Sequence, residues 1–185
     1  MHTTLTIALP DWLPSFLATR EQPEDDAARL SEVIALSAEN VARGSGGPFA
    51  AAVYDEESGE RLAAAVNVVI PSHCAAAHAE TLALSLAQQA CATHTLAVRR
   101  CVLVTSAEPC AMCLGAICWS GVVRVLYAAT RADVEATGFD EGPRPARWKA
   151  ALISRGIAVT GPLQRRDAAA VLRAYVQGAG HIYNG

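Results

Sequence analysis

The chain has little that would draw it to a polyanion or a bilayer. Its 15 Lys and Arg are outnumbered by 18 Asp and Glu, for a formal net charge of −3. No overall positive field exists to attract nucleic acid, which leaves that task to a local basic patch. Long apolar runs are missing as well. The longest, such as 63–70, have the length of a strand, far short of the roughly 20 residues that a membrane-spanning helix needs. The N-terminus has neither a basic start nor an apolar stretch behind it, so no secretory signal is expected and the reading is a cytoplasmic protein. Repeats and low-complexity linkers are absent too. What is there is globular: 52% of the residues are hydrophobic and 18% charged, more apolar than a disordered chain. The 185 residues fit one domain around a single core.

Residues 1–23, with Pro10, Pro14 and Pro23, read as an irregular arm that Trp12, Leu13, Phe16 and Leu17 can dock on a domain of residues 24–185. Asp25 and Asp26 open a helix running to about Arg43. Leu30, Val33, Ile34, Ser37 and Val41 share its face, and Gly44 stops it. Gly46-Gly47-Pro48 is a turn, 49–55 a strand, Glu57-Ser58-Gly59 a second turn and 61–69 a return strand, which together make a hairpin. Helices are expected from His78 through Leu86, over 109–119 with Pro109 in its first turn, over 131–134, 147–154 and 167–177. Strands are expected over 100–105, 122–128 and 157–160. Strands alternating with helices after a hairpin imply a mixed sheet covered on both faces.

Six cysteines are present, two of them in a C-x-x-C. Without an export signal, metal binding or plain burial is favoured over a disulfide framework. Cys110 and Cys113 are three residues apart, so on a helix they share a face and can grip one ion. In a first turn, unpaired N–H groups and the helix dipole favour the thiolate. His78 opens another helix. Two helix starts aimed at one point would set one imidazole and two sulfurs around a tetrahedral zinc ion. A structural zinc site has four protein ligands, whereas three leave room for a water whose pKa the ion lowers to roughly 7. Glu80, two residues beyond His78, would lie close enough to take that water's proton. A C-x-x-C alone is an ambiguous metal or redox motif. It gains specificity from the H-x-E, from Pro109 before the first cysteine, and from both halves opening helices. His73 and Cys74 are rival ligands, and a fourth ligand from Cys74 would close the site. Cys91, Cys101 and Cys118 read as small buried hydrophobes, and His94 and His181 as surface or structural residues.

With these residues in view, the chain resembles the cytidine deaminase-like superfamily and looks closest to its bacterial guanine deaminase branch. The resemblance runs from about Leu30 to the C-terminus. It rests on Gly46-Gly47-Pro48-Phe49, Asn67, His78-Ala79-Glu80, Thr105 through Cys113, Trp119-Ser120-Gly121, Gly138 through Pro145, and Ile182-Tyr183-Asn184. It implies an α/β fold, a three-layer α/β/α sandwich with a five-stranded mixed sheet, usually a homodimer, with Zn2+ held by His78, Cys110 and Cys113. It also implies hydrolytic deamination of a free purine base, guanine to xanthine plus ammonia. Glu80 would carry the water proton to a ring nitrogen and then to the leaving ammonia.

The resemblance implies further roles at the substrate. Asn67 would bond the base edge, its alternative being a turn cap. Phe49 and Trp119 would border the ring, or else pack in the core. Asp140 and Glu141, held stiff by Phe139 and two prolines, would read the amino and ring N–H donors of guanine, with Glu141 a second proton carrier; the alternative is a solvated acidic surface. The tail with Tyr183 and Asn184 would close over the pocket or cross to a partner subunit.

The N-terminal arm and extra residues around 131–156 depart from the family pattern. They leave open another small amino-heterocycle as substrate, such as guanosine, cytosine or an amino-triazine. A tRNA adenosine deaminase would need a basic surface. The candidate cluster, Arg144, Arg147, Lys149, Arg165, Arg166 and Arg173, is interspersed with acids and reads as a solvated face with salt bridges. A non-catalytic, zinc-stabilised binding domain would have no need of Glu80.

Overall fold

The computed structural model describes residues 3–184. Among them, β1 (Ala50–Asp55) pairs antiparallel with β2 (Arg61–Val66) on one side and β3 (Cys101–Ala107) on the other. The next strand, β4 (Arg124–Ala129), runs parallel to β3, and the short β5 (Ala158–Thr160) runs parallel to β4. The sheet order is therefore β2-β1-β3-β4-β5. Ala50 opposes Val66 and Ala51 opposes Thr105. That register brings the start of β1, the end of β2 and the end of β3 to one rim. Phe49, Asn67 and Glu108 follow from it as neighbours, outside the carboxyl end of a parallel strand where ligands of such sheets bind.

One face of the sheet is covered by α2 (Asp26–Ala42) and α8 (Arg165–Gln177), with α6 (Arg131–Glu135) at its edge. The other carries α4 (Ala79–Ala90), α5 (Ala111–Ser120) and α7 (Trp148–Ile153). This is the three-layer arrangement with a five-stranded mixed sheet expected from the sequence. At the start of α2, the Asp25 carboxylate accepts the Ala28 N–H at 2.7 Å. At its end, Gly44 takes φ +62°, donating to Val41, and Ser45 donates to Asn40, the paired bonds of a Schellman motif. The contact between α4 and the sheet is built from methyl groups: Ala51 and Ala65 share a buried cluster with Ala79, Ala83 and Ala87. These small side chains let helix and sheet approach closely.

Three local readings change. The arm is not irregular throughout, because α1 (Trp12–Ala18) is helical; Met1 and His2 lie outside the described residues. Pro14 sits in the first turn of α1, where its missing N–H breaks no bond. Leu13 is buried, Trp12, Phe16 and Leu17 pack on the core, and the Trp12 indole donates to Ser45 at 3.0 Å. The strand expected to run through Val69 ends at Val66, and α3 (Val69–Ser72) is a single helical turn. The Asn67 side chain accepts the Val69 N–H, bending the chain out of the sheet. Pro109 stands one residue ahead of the N-cap of α5, Cys110, rather than in its first turn.

Candidate zinc and substrate site

His78 is the N-cap of α4 and Cys110 the N-cap of α5, both with extended backbones, while Cys113 lies in the first turn of α5. The His78 Nδ1 stands 3.6 Å from each of the two Sγ atoms. A tetrahedral zinc with Zn–N near 2.0–2.1 Å and Zn–S near 2.3 Å requires an N···S edge of about 3.6 Å, so the three residues fit the ion. Among the described residues, the His/Cys/Asp/Glu group close enough to hold a metal is this trio, its ligand atoms within 4.8 Å of one another. Cys74 is not part of it. It packs against the core on the other face of the sheet, and His73 is exposed. The donor set stays at three.

The electrostatics suit a divalent cation. Cys113 hydrogen bonding pulls the Cys110 thiol down to about 4; burial opposes this, and the hydrogen bond and charge of His78 add to it. Burial chiefly, then the negative Cys110, raises Glu80, whose side chain reaches Thr105 at 3.4 Å. Glu141, 6% exposed, is pushed up to about 8 by burial, then by Cys110 and Glu80, with Arg144 pulling the other way. A thiolate and two carboxyl groups crowded into one buried space form a site that a divalent cation neutralises.

His78, Glu80, Cys110 and Glu141 line one cavity together with Phe49, Glu108, Tyr183 and Asn184. Its volume is about 10 Å³, room for about one water and not for a base. Four buried polar atoms around it have no partner among the described residues: Asn67 Nδ2, Glu141 Oε2, Tyr183 OH and Asn184 Oδ1. Buried polar groups are ordinarily hydrogen-bonded, so this set marks where a polar ligand belongs. The position of Gly47 ties two of them together. A Cβ there would meet the Tyr183 hydroxyl at 2.7 Å and Asn67 Oδ1 at 3.0 Å, so only glycine leaves both groups in place.

The tail is fastened where the loop of Glu141 begins. The Asp140 N–H donates to the Asn184 carbonyl at 3.1 Å, and Asn184 Nδ2 donates to the Asp140 carbonyl at 2.7 Å. Phe139 stands edge-on to Phe49 at 5.2 Å and to Tyr183 at 5.1 Å, so Phe49 both borders the cavity and packs in the core. Two candidates fall away. The Asp140 side chain is exposed and accepts the Gly142 N–H at 2.8 Å, which makes it a turn-former rather than a reader of substrate. Trp119 neither walls the pocket nor packs in the core: it is 78% exposed, with the Arg155 guanidinium over its ring. Glu108 entered the sequence reading only within the motif of 105–113, and Arg144 as part of a solvated basic face; the structure pairs them in a buried contact beside the site. Their signal was burial of an ion pair, which spacing does not reveal.

Residues 23–129 match the model of the cytidine and deoxycytidylate deaminase zinc-binding region. The chain belongs to this family. It is a zinc-dependent hydrolytic deaminase. It is 39% identical over 112 residues to guanine deaminase of Bacillus subtilis, covering 60% of this chain and 69% of that one. The solved guanine deaminase of Nitrosomonas europaea is 49% identical, covers 95% of this chain and 97% of its own, and superposes with a TM-score of 0.89. A related structure in complex with 2,6-diaminopurine is 49% identical over 100% of this chain and 98% of its own, with a TM-score of 0.87. Glu141, Tyr183 and Asn184 lie beyond the matched family region but within these whole-chain similarities.

Proposed function

We infer that this deaminase acts on free guanine: guanine and water give xanthine and ammonia. The observation that carries the reading is a trio of ligand atoms at tetrahedral spacing beside Glu80, together with polar atoms of Asn67, Glu141, Tyr183 and Asn184 that are buried without a partner among the described residues. The similarity to guanine deaminases across nearly the whole chain supports the purine. When bound, zinc acts as a Lewis acid that acidifies a water near neutral pH. Glu80 would carry one proton of that water to a ring nitrogen and then the second to the departing amine. Asn67 presents its N–H2, which has no partner among the described residues, to an acceptor on the base edge. Glu141 and Asn184 Oδ1 accept from the amino and ring N–H groups, and Glu141 serves as the second proton carrier. Phe49 borders the ring. Tyr183 closes the site from the tail, excluding water, and must move for a base to enter the 10 Å³ cavity.

We also propose a homodimer. The outward side of α5 is apolar, with Met112, Gly115, Ala116 and Trp119 in a row, and a second copy would cover it. The Asp140–Asn184 pairing is equally available to a tail crossing from that copy. Residues 1–23 form an arm of the catalytic domain of residues 24–185. Six free cysteines suit the cytoplasm, and no described helix is long and apolar enough to cross a membrane.

A cytosine-type substrate is the second reading, favoured by a probable cytosine deaminase of Schizosaccharomyces pombe that is 36% identical over 120 residues. The tRNA reading is weakened, because two of the six basic residues it needs are engaged: Arg144 is buried against Glu108 and Arg165 is paired with Asp133. The test is ammonia release by the zinc-loaded protein from guanine, guanosine, cytosine and an amino-triazine, with xanthine followed by its absorbance. Guanine is expected to lead the series. A zinc-replete protein that leaves guanine intact ends this reading.

A further inference from the structure

We propose that Arg144 is a positioning residue for deamination, clamping the loop that carries Glu141 to the segment that leads from β3 into Cys110. The inference rests on the role given above to Glu141. Arg144 belongs by sequence to a basic cluster on the surface, yet its side chain is 7% exposed. Its Nη2 meets Glu108 Oε1 at 2.9 Å and its Nη1 donates to the Pro109 carbonyl at 3.2 Å. The guanidinium also lies over the Trp148 ring, 5.1 Å from its centre. One planar cation thus binds two successive residues just ahead of Cys110 and stacks on α7. A lysine, a point charge, cannot reproduce all three contacts.

Glu108 is engaged at both ends, because its Oε2 accepts the Arg131 N–H at 2.9 Å. Although it lines the cavity, it is therefore an anchor and not a proton carrier. A second tie lies closer to the chemistry: the Ala111 N–H, in the first turn of α5, donates to the Glu141 carbonyl at 3.0 Å. Two ties, three residues apart, fix the segment between them against the start of α5. The Glu141 carboxylate needs that help, since its Oε2 has no partner of its own. Elsewhere β3 is held on both flanks by sheet bonds, so loss of the clamp frees the loop and leaves the strand.

The experiment compares wild type, R144K, R144M and the double variant E108Q/R144M, each assayed for zinc content, Tm, kcat and KM on guanine, and amide hydrogen exchange. In zinc-replete R144M, kcat is expected to fall about 10–100-fold, the scale of a misplaced reacting group, with KM within about threefold. R144K should recover part of the loss. In the double variant, no buried charge is left unpaired, so Tm should return while kcat stays low. Residues 138–145 should exchange about tenfold faster, with β3 unchanged. Wild-type kcat in the double variant would reduce Arg144 to a stabilising residue, and unchanged exchange over 138–145 would overturn the clamp whatever the substrate. Should both methionine variants fail to fold, R144K decides: a kcat drop of about fivefold at wild-type Tm supports the clamp, and full activity overturns it. Failure of the guanine reading is separate, because it appears in the wild type as missing ammonia.

Discussion

The side-chain oxygen of Asn67 accepts the Val69 N–H at 3.2 Å, which orients the amide and leaves its nitrogen without a partner among the described residues. The unmet group at Asn67 is therefore a donor, while its oxygen keeps a second lone pair. Replacing it by Asp would put a carboxylate where a donor is needed. N67D is expected to raise KM for guanine and lower kcat/KM about 10–100-fold, the cost of an unmatched buried polar group being about 1–3 kcal/mol. Steady-state kinetics on folded N67D check this. Unchanged kcat/KM would remove Asn67 from the site.

Glu80 is close to the ligands without belonging to the metal trio. Glu80→Gln keeps its volume and removes its proton traffic. Zinc content should stay at wild type while kcat falls about 100–10,000-fold, the range for general acid–base groups. Near-normal turnover would transfer the proton role to Glu141.

Metal removal should abolish turnover and lower Tm, because a ligand that binds only the folded state stabilises it. Added zinc should restore both. Cys113→Ser should lose zinc, whereas Cys74→Ala should retain one ion per chain. A loss of zinc in Cys74→Ala would mean four ligands and a closed, structural site.

Asp133 caps α6 together with Thr130 and pairs with Arg165 of α8 at 2.7 Å. The hydrogen bond from Arg165 chiefly holds its carboxyl well below the usual range, with burial opposing and Thr130 assisting. A depressed acid stabilises the fold above its unfolded pKa, about 3.9, and that contribution drains away as pH falls through the folded value. D133N should lose about 0.5–1 kcal/mol for such a partly exposed pair, or about 1–4 °C in Tm. The gap should be full at neutral pH and narrow steadily below about pH 4. A gap that ignores pH would refute the ionic origin.

Zinc ligation was legible in the sequence because it is local: H-x-E and C-x-x-C set their spacing within one helix turn each. The substrate end was not. Asp140 and Glu141 are adjacent acids, and only the backbone path, with Gly138 and Gly142 at positive φ, decides that one is exposed and the other buried. Trp119 was misplaced because α5 is apolar all round and has no periodicity to separate its inner from its outer side. Prolines hid α1, since a helix's first turn tolerates what its middle does not. Arg144 looked like its basic neighbours until Glu108 was found beside it.

The alanine seam beneath α4 has a consequence for how the chain can drift. The helix that begins at His78 and Glu80 packs on the sheet partly through five methyl groups, at 51, 65, 79, 83 and 87. One enlarged side chain in that row would tilt the helix and carry the imidazole off its coordination point. Substitutions there would be filtered by metal affinity before stability failed, so retention of zinc gauges packing several turns away from the ion.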